Sequence, residues 1–325
     1  MGTTLHQRPD AIMALTLVEA AKLAANEGKQ LRSSVIEMFA RASDILMALP
    51  FKDIQGNAYA YNREGQLPGV AFRGVNESYT PSTGVINPLV EALRIAGGDL
   101  DVDTFILKTQ GEGVRGTHVS MKVKALAAEL TRVIIKGDST TQPREFDGLQ
   151  NRVTGTQLFE ADASATDGGD ALSLAKLDEA IDAVSNPTHL IMSKAMRRLF
   201  TAASKTATLS GIVQDSVDAF GRQIKKYADI PILVPYSDNG GTEPLAFDEL
   251  AATGATATAT SIYVVSFGDG MVQGIQSGPM DVRDLGELST TPAKRTRVEW
   301  FPGLCIEHGR AIARVRGISN AAIVA

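Results

Sequence analysis

Between Gly116 and Asp138 apolar residues recur at steps of three and four: Val119, Val123, Leu126, Leu130 and Val133/Ile134. That spacing places them on one stripe of an α-helix, with Lys122, Lys124, Glu129 and Arg132 on the remaining surface. At ~1.5 Å per residue, a helix of roughly 20 residues spans about 30 Å, the width of a small domain. Thr117 is the expected N-cap, and Lys136-Gly137 supplies a basic last turn and a glycine able to turn left-handed past the end. Residues 1–14 carry no period and read as a terminus. After them Thr16 caps LVEAAKLAAN, which Gly28 ends. A run from Ser34 to Leu49 then sets Val35, Met38, Phe39, Ala42, Ile45, Leu46 and Leu49 on one face before Pro50 stops it. These two helices form an arm whose stripe has no partner nearby in sequence and must bury against something else.

From Asn57 the period changes to two. Tyr59, Tyr61 and Arg63 share one face and Ala58, Ala60 and Asn62 the other; REGQLPG turns the chain and VAFRGV returns it. Neither face is cleanly apolar, and a lone hairpin without an apolar face does not hold itself folded. The spacing therefore predicts a surface flap, or an arm ordered by a neighbouring subunit. A strand follows around Val90–Ala96, broken by Gly97-Gly98, and an extended LDVDTFI leads to a bend at Gly111, Gly113 and Gly116. Beyond the long helix come an irregular KGDSTTQPREFDGLQNRV, a short strand in TGTQLFE, a helix over Ser173–Val184, a buried strand HLIMS and a helix over Lys194–Ser204. Strands follow around Arg222–Tyr227, Ile230–Val234, Thr260–Phe267, Met271–Ile275 and Thr296–Phe301, with ATGATATATS read as a loop. The last, GRAIARVRGI, sets Ala311, Ala313 and Val315 against Arg310, Arg314 and Arg316. The fold class is α+β, with mostly antiparallel strands around one long helix.

Composition narrows the function by exclusion. The chain has 325 residues, 44% hydrophobic and 21% charged, and a formal net charge of −5. That balance argues against a protein that gains affinity from phosphates. One cysteine, Cys305, rules out an internal disulfide and a cysteine metal cage. The histidines His6, His118, His189 and His308 show no pairing at helical spacing, so no metal site is expected. No stretch approaches 18 uninterrupted apolar residues, so neither a transmembrane helix nor a membrane partner is expected. There is no P-loop and no GxSxG elbow. Gly111-x-Gly113-x-x-Gly116 lacks the acidic residue of a dinucleotide site, and Gly268-Asp269-Gly270 has the residues of a tight hairpin turn. Cys305 among FPGLCIEHG reads as a small buried hydrophobe. Neither a catalytic residue nor a cofactor is expected. The basic clusters Lys194/Arg197/Arg198, Lys225/Lys226, Lys294/Arg295/Arg297 and Arg310/Arg314/Arg316 read as solvated or internally paired faces, or as charge complementarity between copies of one subunit.

The order of these elements resembles the major capsid proteins of tailed bacteriophages, the Hong Kong-97-like fold. IIKGD…PREFDGL looks like the short signature many of them carry after the long helix, and IEHGRAIARVRGI looks like their closing strand. The resemblance implies an N-terminal arm over about 1–50, an extended loop over 51–84, a peripheral domain over 85–145 with the long helix as spine, an axial domain over 146–295, and a peripheral closing strand over 296–325. It implies a subunit that self-assembles into hexamers and pentamers. They form the icosahedral head of a virion built in the host cytoplasm around double-stranded DNA touched without specificity. Partners would be a portal protein at one vertex, a decoration or cement protein and a scaffolding protein. The scaffold is expected to be a separate chain, because too few residues precede the flap to carry one. The flap segment Arg63–Gly69 has no lysine, so the lysine–asparagine crosslinks of some relatives are not expected. Tyr59, Tyr61, Arg63, Leu67, Val70 and Phe72 on the flap, with Arg197, Arg198, Arg310, Arg314 and Arg316, are the candidate subunit-interface residues. An encapsulin-type nanocompartment shell shares the fold. A tail-tube protein and a small-molecule enzyme are the rivals from other classes.

Overall fold

The computed structural model describes residues 15–17, 19, 22, 38–39, 42–162, 166–206, 211, 213–217, 223–235 and 243–324. In chain order the strands are β1 (Leu15–Thr16), β2 (Pro50–Asp53), β3 (Ala58–Gln66), β4 (Val85–Ala92), β5 (Ala96–Asp103), β6 (Leu158–Glu160), β7 (His189–Ile191), β8 (Val213–Val217) and β9 (Gln223–Tyr227). They continue with β10 (Ile230–Leu233), β11 (Glu249–Leu250), β12 (Ala257–Val265), β13 (Val272–Gln276), β14 (Asp281–Glu287), β15 (Ala293–Trp300), β16 (Pro302–Ile306) and β17 (Ile312–Ile318). The helices are α1 (Asp44–Ala48), α2 (Thr104–Gln110), α3 (Gly113–Lys136), α4 (Leu149–Arg152), α5 (Leu174–Ala183) and α6 (Lys194–Ala203).

An eight-stranded sheet runs in the order β6-β17-β12-β7-β10-β9-β8, with β11 beside β12. One face of it, through Leu190, Ile262, Val264, Ala313 and Val315, buries against the apolar sides of α5 and α6. Through Ile191, Tyr263, Val265 and Ile312 the other face joins a second core built around α3. Strands β14, β15 and β5 form a three-stranded sheet and β1, β2, β13 and β16 a four-stranded one, while β3 and β4 pair only with each other. The α+β class with mostly antiparallel pairing is as the patterning indicates. The segment 296–325 divides among three sheets: Thr296–Trp300 lies in β15 beside β5, β16 pairs with β13 in the four-stranded sheet, and β17 lies inside the eight-stranded sheet between β12 and β6.

The long helix α3 starts earlier than its cap pattern indicates. Gly113 and Gly116 are inside it, and Thr117 is no cap, its hydroxyl donating back to the Gly113 carbonyl at 3.3 Å. Tertiary bonds hold that first turn in place of a cap. Arg115 donates to Asp284 at 2.8 Å and to Thr296 at 3.0 Å, fixing the turn to β14 and β15. At the other end Gly137 has φ −57°, not a left-handed value. Glycine is required there for approach, since a Cβ would sit 2.3 Å from the Phe146 carbonyl oxygen. The following loop closes on itself, with the Gly148 N–H donating to the Gly137 carbonyl at 2.9 Å.

Three other expectations change. Gly97 and Gly98 do not break a strand but lie within β5, where a Cβ on Gly97 would sit 2.3 Å from the Val298 carbonyl oxygen. The second half of ATGATATATS is strand, the start of β12, because Ala259 and the residues after it are buried between β17 and β11. The arm also finds its partner inside its own subunit. Phe39, Ile45, Leu46 and Leu49 are buried with the second half of α3, and Phe39 meets Trp300 edge-on at 5.4 Å. Each such side chain contributes about 1.5–3 kcal/mol. Thr16 caps as its sequence indicates, accepting from the Glu19 N–H at 3.4 Å while Glu19 accepts from the Thr16 N–H at 2.9 Å. Of the second stripe only Val35 lies outside the described residues, as do most of LVEAAKLAAN and residues 1–14.

Candidate assembly surface

The flap is built by β3 and β4, in register from Ala58 opposite Ala92 to Gln66 opposite Val85. The return strand is therefore β4, and VAFRGV belongs to a tip of residues 67–84 that makes no strand. The turn-like REGQLPG misled because Arg63–Gln66 are still paired.

At the root, Tyr59 and Tyr61 stack at 5.9 Å and bind their own subunit. Tyr59 accepts a bond from Lys52 Nζ at 3.1 Å and donates to Glu307 at 2.9 Å; Gln273 donates to the same carboxylate at 2.6 Å. Tyr61 is 8% exposed and packs on Ile275 and Cys305, and Arg63 donates to the Ile306 carbonyl. Burial raises the Tyr61 phenol, and burial with the Glu307 charge pushes the Cys305 thiol up to about 12. Tyr61 offers no surface to a neighbour, which corrects its place among the interface candidates. A further contact fixes the root. Arg152 of α4 grips Glu91 of β4 through both nitrogens of its fork, one at 2.8 Å, and donates through Nε to the Asp147 carbonyl at 2.7 Å. Glu91 and Arg152 are 61 positions apart, so no spacing rule links them.

The tip is the opposite. Every residue from Glu64 to Pro88 is exposed, including Leu67 at 73%, Val70 at 93%, Phe72 at 104% and Val75 at 93%. Soluble chains scatter single exposed apolar residues, whereas here they are gathered in one run.

The structure also separates the arginines. Arg314 is buried, pairing with Glu249 at 2.9 Å and donating to Ser261 at 3.0 Å, so it is no interface residue; it neutralises a carboxylate inside the sheet. Arg316 pairs with Glu160 at 2.7 Å, and Arg310 donates to the Ala183 and Asp182 carbonyls at the end of α5. In contrast, Arg197 and Arg198 project from α6 into an open groove of about 860 Å³.

No protein-family model matches this sequence, and no curated protein does. Solved structures do match. The holo-SrpI encapsulin complex from Synechococcus elongatus PCC 7942 is 16% identical, over 85% of this chain and 88% of its own, with a TM-score of 0.59. The capsid of an empty GTA particle is 12% identical over 86% and 90%, with a TM-score of 0.58. A chain from Microbacterium phage Oxtober96 is 11% identical over 84% and 90%, with a TM-score of 0.61. The chain has the Hong Kong-97-like capsid fold. In that fold's terms β3, β4 and the tip are the extended loop, and α3 is the spine helix.

Proposed function

We propose that this chain is a structural shell subunit, without catalytic activity, that closes into five- and six-membered rings and builds the icosahedral head of a tailed bacteriophage around double-stranded DNA. One observation carries it: the flap holds Leu67, Val70, Phe72 and Val75 in solvent beyond a strand pair fixed at its root, a projection that no described residue of its own chain covers. Shell-forming neighbours of the same fold support a second copy as that molecule. The flap tip then lies on the neighbouring subunit near its spine helix. A separate scaffolding protein, a portal protein at one vertex and a decoration protein complete the particle, which assembles in the host cytoplasm.

A nanocompartment shell around a protein cargo is the second reading, favoured by the likeness to the SrpI encapsulin complex. Electron microscopy of the expressed protein, alone and with its genomic neighbours, tests the shell itself: closed particles or five- and six-fold rings are expected, and a monomer under both conditions overturns it. Nuclease-protected DNA inside the particle fits the phage head, and a co-purifying protein inside it fits the compartment.

A further inference from the structure

A second apolar surface lies at the foot of the flap. Residues 94–97 turn the chain from β4 into β5, and beside α3 that turn leaves a pocket of about 250 Å³. Leu126, Leu130 and Val133 of the spine helix, with Phe146 and Pro302, give the pocket an apolar floor, and Ile95 stands at its lip, 77% exposed. The volume is below the roughly 300–1,000 Å³ of a small-molecule site and suits a few apolar side chains instead. On the rim the acids are already satisfied and the cations are not. Arg132 holds both Glu129 and Glu145, at 2.7 and 2.5 Å. Arg94 and Arg144 form no ion pair among the described residues, and the Arg94 Nε is buried without a hydrogen-bond partner. A buried donor of that kind calls for an acceptor from elsewhere.

The tip of the flap is shaped in advance. Ser82 donates to the Gly69 carbonyl at 2.9 Å and closes its base. The Gly74 N–H donates to the Glu77 carboxylate at 2.7 Å, and Asn76 takes a left-handed φ of 66°. Arg73 donates to the Glu77 carbonyl at 3.1 Å and lies over the Tyr79 ring. Together these contacts make a turn that leaves Phe72 and Val75 bare, with Glu77 in no ion pair among the described residues. Order already present in the free subunit lowers the entropy cost of docking.

We infer that the pocket is the seat for the flap tip of the next copy, with Phe72 and Val75 on its floor and Glu77 toward Arg94 and Arg144. The inference rests on the shell reading and adds which residues meet. Apolar faces apolar, and a free carboxylate faces two free cations. The subunit's own tip is not the occupant. β4 is eight residues long, about 27 Å at ~3.4 Å per residue, and it ends beside the pocket. Its direction is fixed by Arg152 on Glu91, Arg63 on the Ile306 carbonyl and Tyr59 on Glu307. To reach back, the tip would have to unpair β3 from β4. A tip that fits only another copy's root makes a head-to-tail contact, and such contacts close into rings by rotation.

An engineered bridge tests it. Val75→Cys and Ile95→Cys alter exposed positions at the tip and the lip, while Cys305 is buried. With both changes in one chain, a short bis-maleimide is expected to give a ladder on denaturing gels, rising to five- and six-membered species. Each single variant is expected to link at least tenfold less. Ile95→Asp is expected to cut the assembled fraction about tenfold or more, as loss of a central apolar contact does, with the denaturation midpoint unchanged. Rings or shells that form yet give no ladder overturn the inference, as does unaltered assembly of the Ile95→Asp variant. A link confined within one chain also overturns it, in favour of the subunit's own tip. Absence of rings from the unaltered protein overturns the shell reading and the inference with it.

Discussion

At the root of the flap, Tyr61 is 8% exposed, wedged over Cys305 and Ile275, with Glu91 held beside it by Arg152. Beyond the end of the same strand pair, in the tip, Phe72 stands wholly in solvent. Both regions are rich in aromatic and aliphatic side chains, so composition does not separate them. Position does: the root has the rest of the subunit beneath it, and no described residue of the chain covers Leu67, Val70, Phe72 or Val75 at the tip. Apolar residues at the root serve folding. Those at the tip are spent on whatever covers them.

The strongest way to break that contrast is Arg152→Ala. It leaves Glu91 half-buried without its cation, which costs about 3–5 kcal/mol, and it frees the flap root. Chemical denaturation should show the loss, and Cys305 should react faster with a thiol reagent as the flap lifts from it. Next comes Tyr61→Ala, expected to destabilise the subunit by about 3 kcal/mol through the cavity it leaves. Phe72→Asp should change subunit stability by no more than about 0.5 kcal/mol, as a surface change does, yet remove assembled particles from size-exclusion profiles. Equal stability losses at Phe72 and Tyr61 would erase the distinction between tip and root.

The smallest effect concerns the tie between the spine helix and β14. Hydrogen bonds from Arg115, then from the Gly286 N–H, lower the Asp284 carboxyl to about 2. Its folded value lies below the unfolded one, near 3.9, so its contribution is present above about pH 4 and is lost as pH falls through about 2. Asp284→Asn should flatten the stability curve across that window. The side chain is 56% exposed, so the change should stay below about 1 kcal/mol.

Helix order, the stripe of α3 and the alternation of β17 were legible because each depends on residues close in sequence. The partner of β3 was not. Leu67-Pro68-Gly69 has the chemistry of a turn, and only pairing across the tip selects Val85–Ala92 instead. The burial of Phe39 and the grip of Arg152 on Glu91 are contacts between distant segments, which no local period encodes. Of the candidate interface residues, the sequence could list the aromatic and basic positions but could not divide them, because Tyr61 and Phe72, or Arg314 and Arg197, differ only in what the fold puts around them.

Trp300 is the only tryptophan in the chain. It sits between Phe39 of the arm and Phe51 of β2, its indole N–H donating to Gln276 at 3.0 Å. Its fluorescence is thus a built-in optical gauge of the arm: blue-shifted while Phe39 covers it, red-shifted if the arm swings away. The state of the arm can be followed in real time, in free subunits and in finished particles, without attaching a dye.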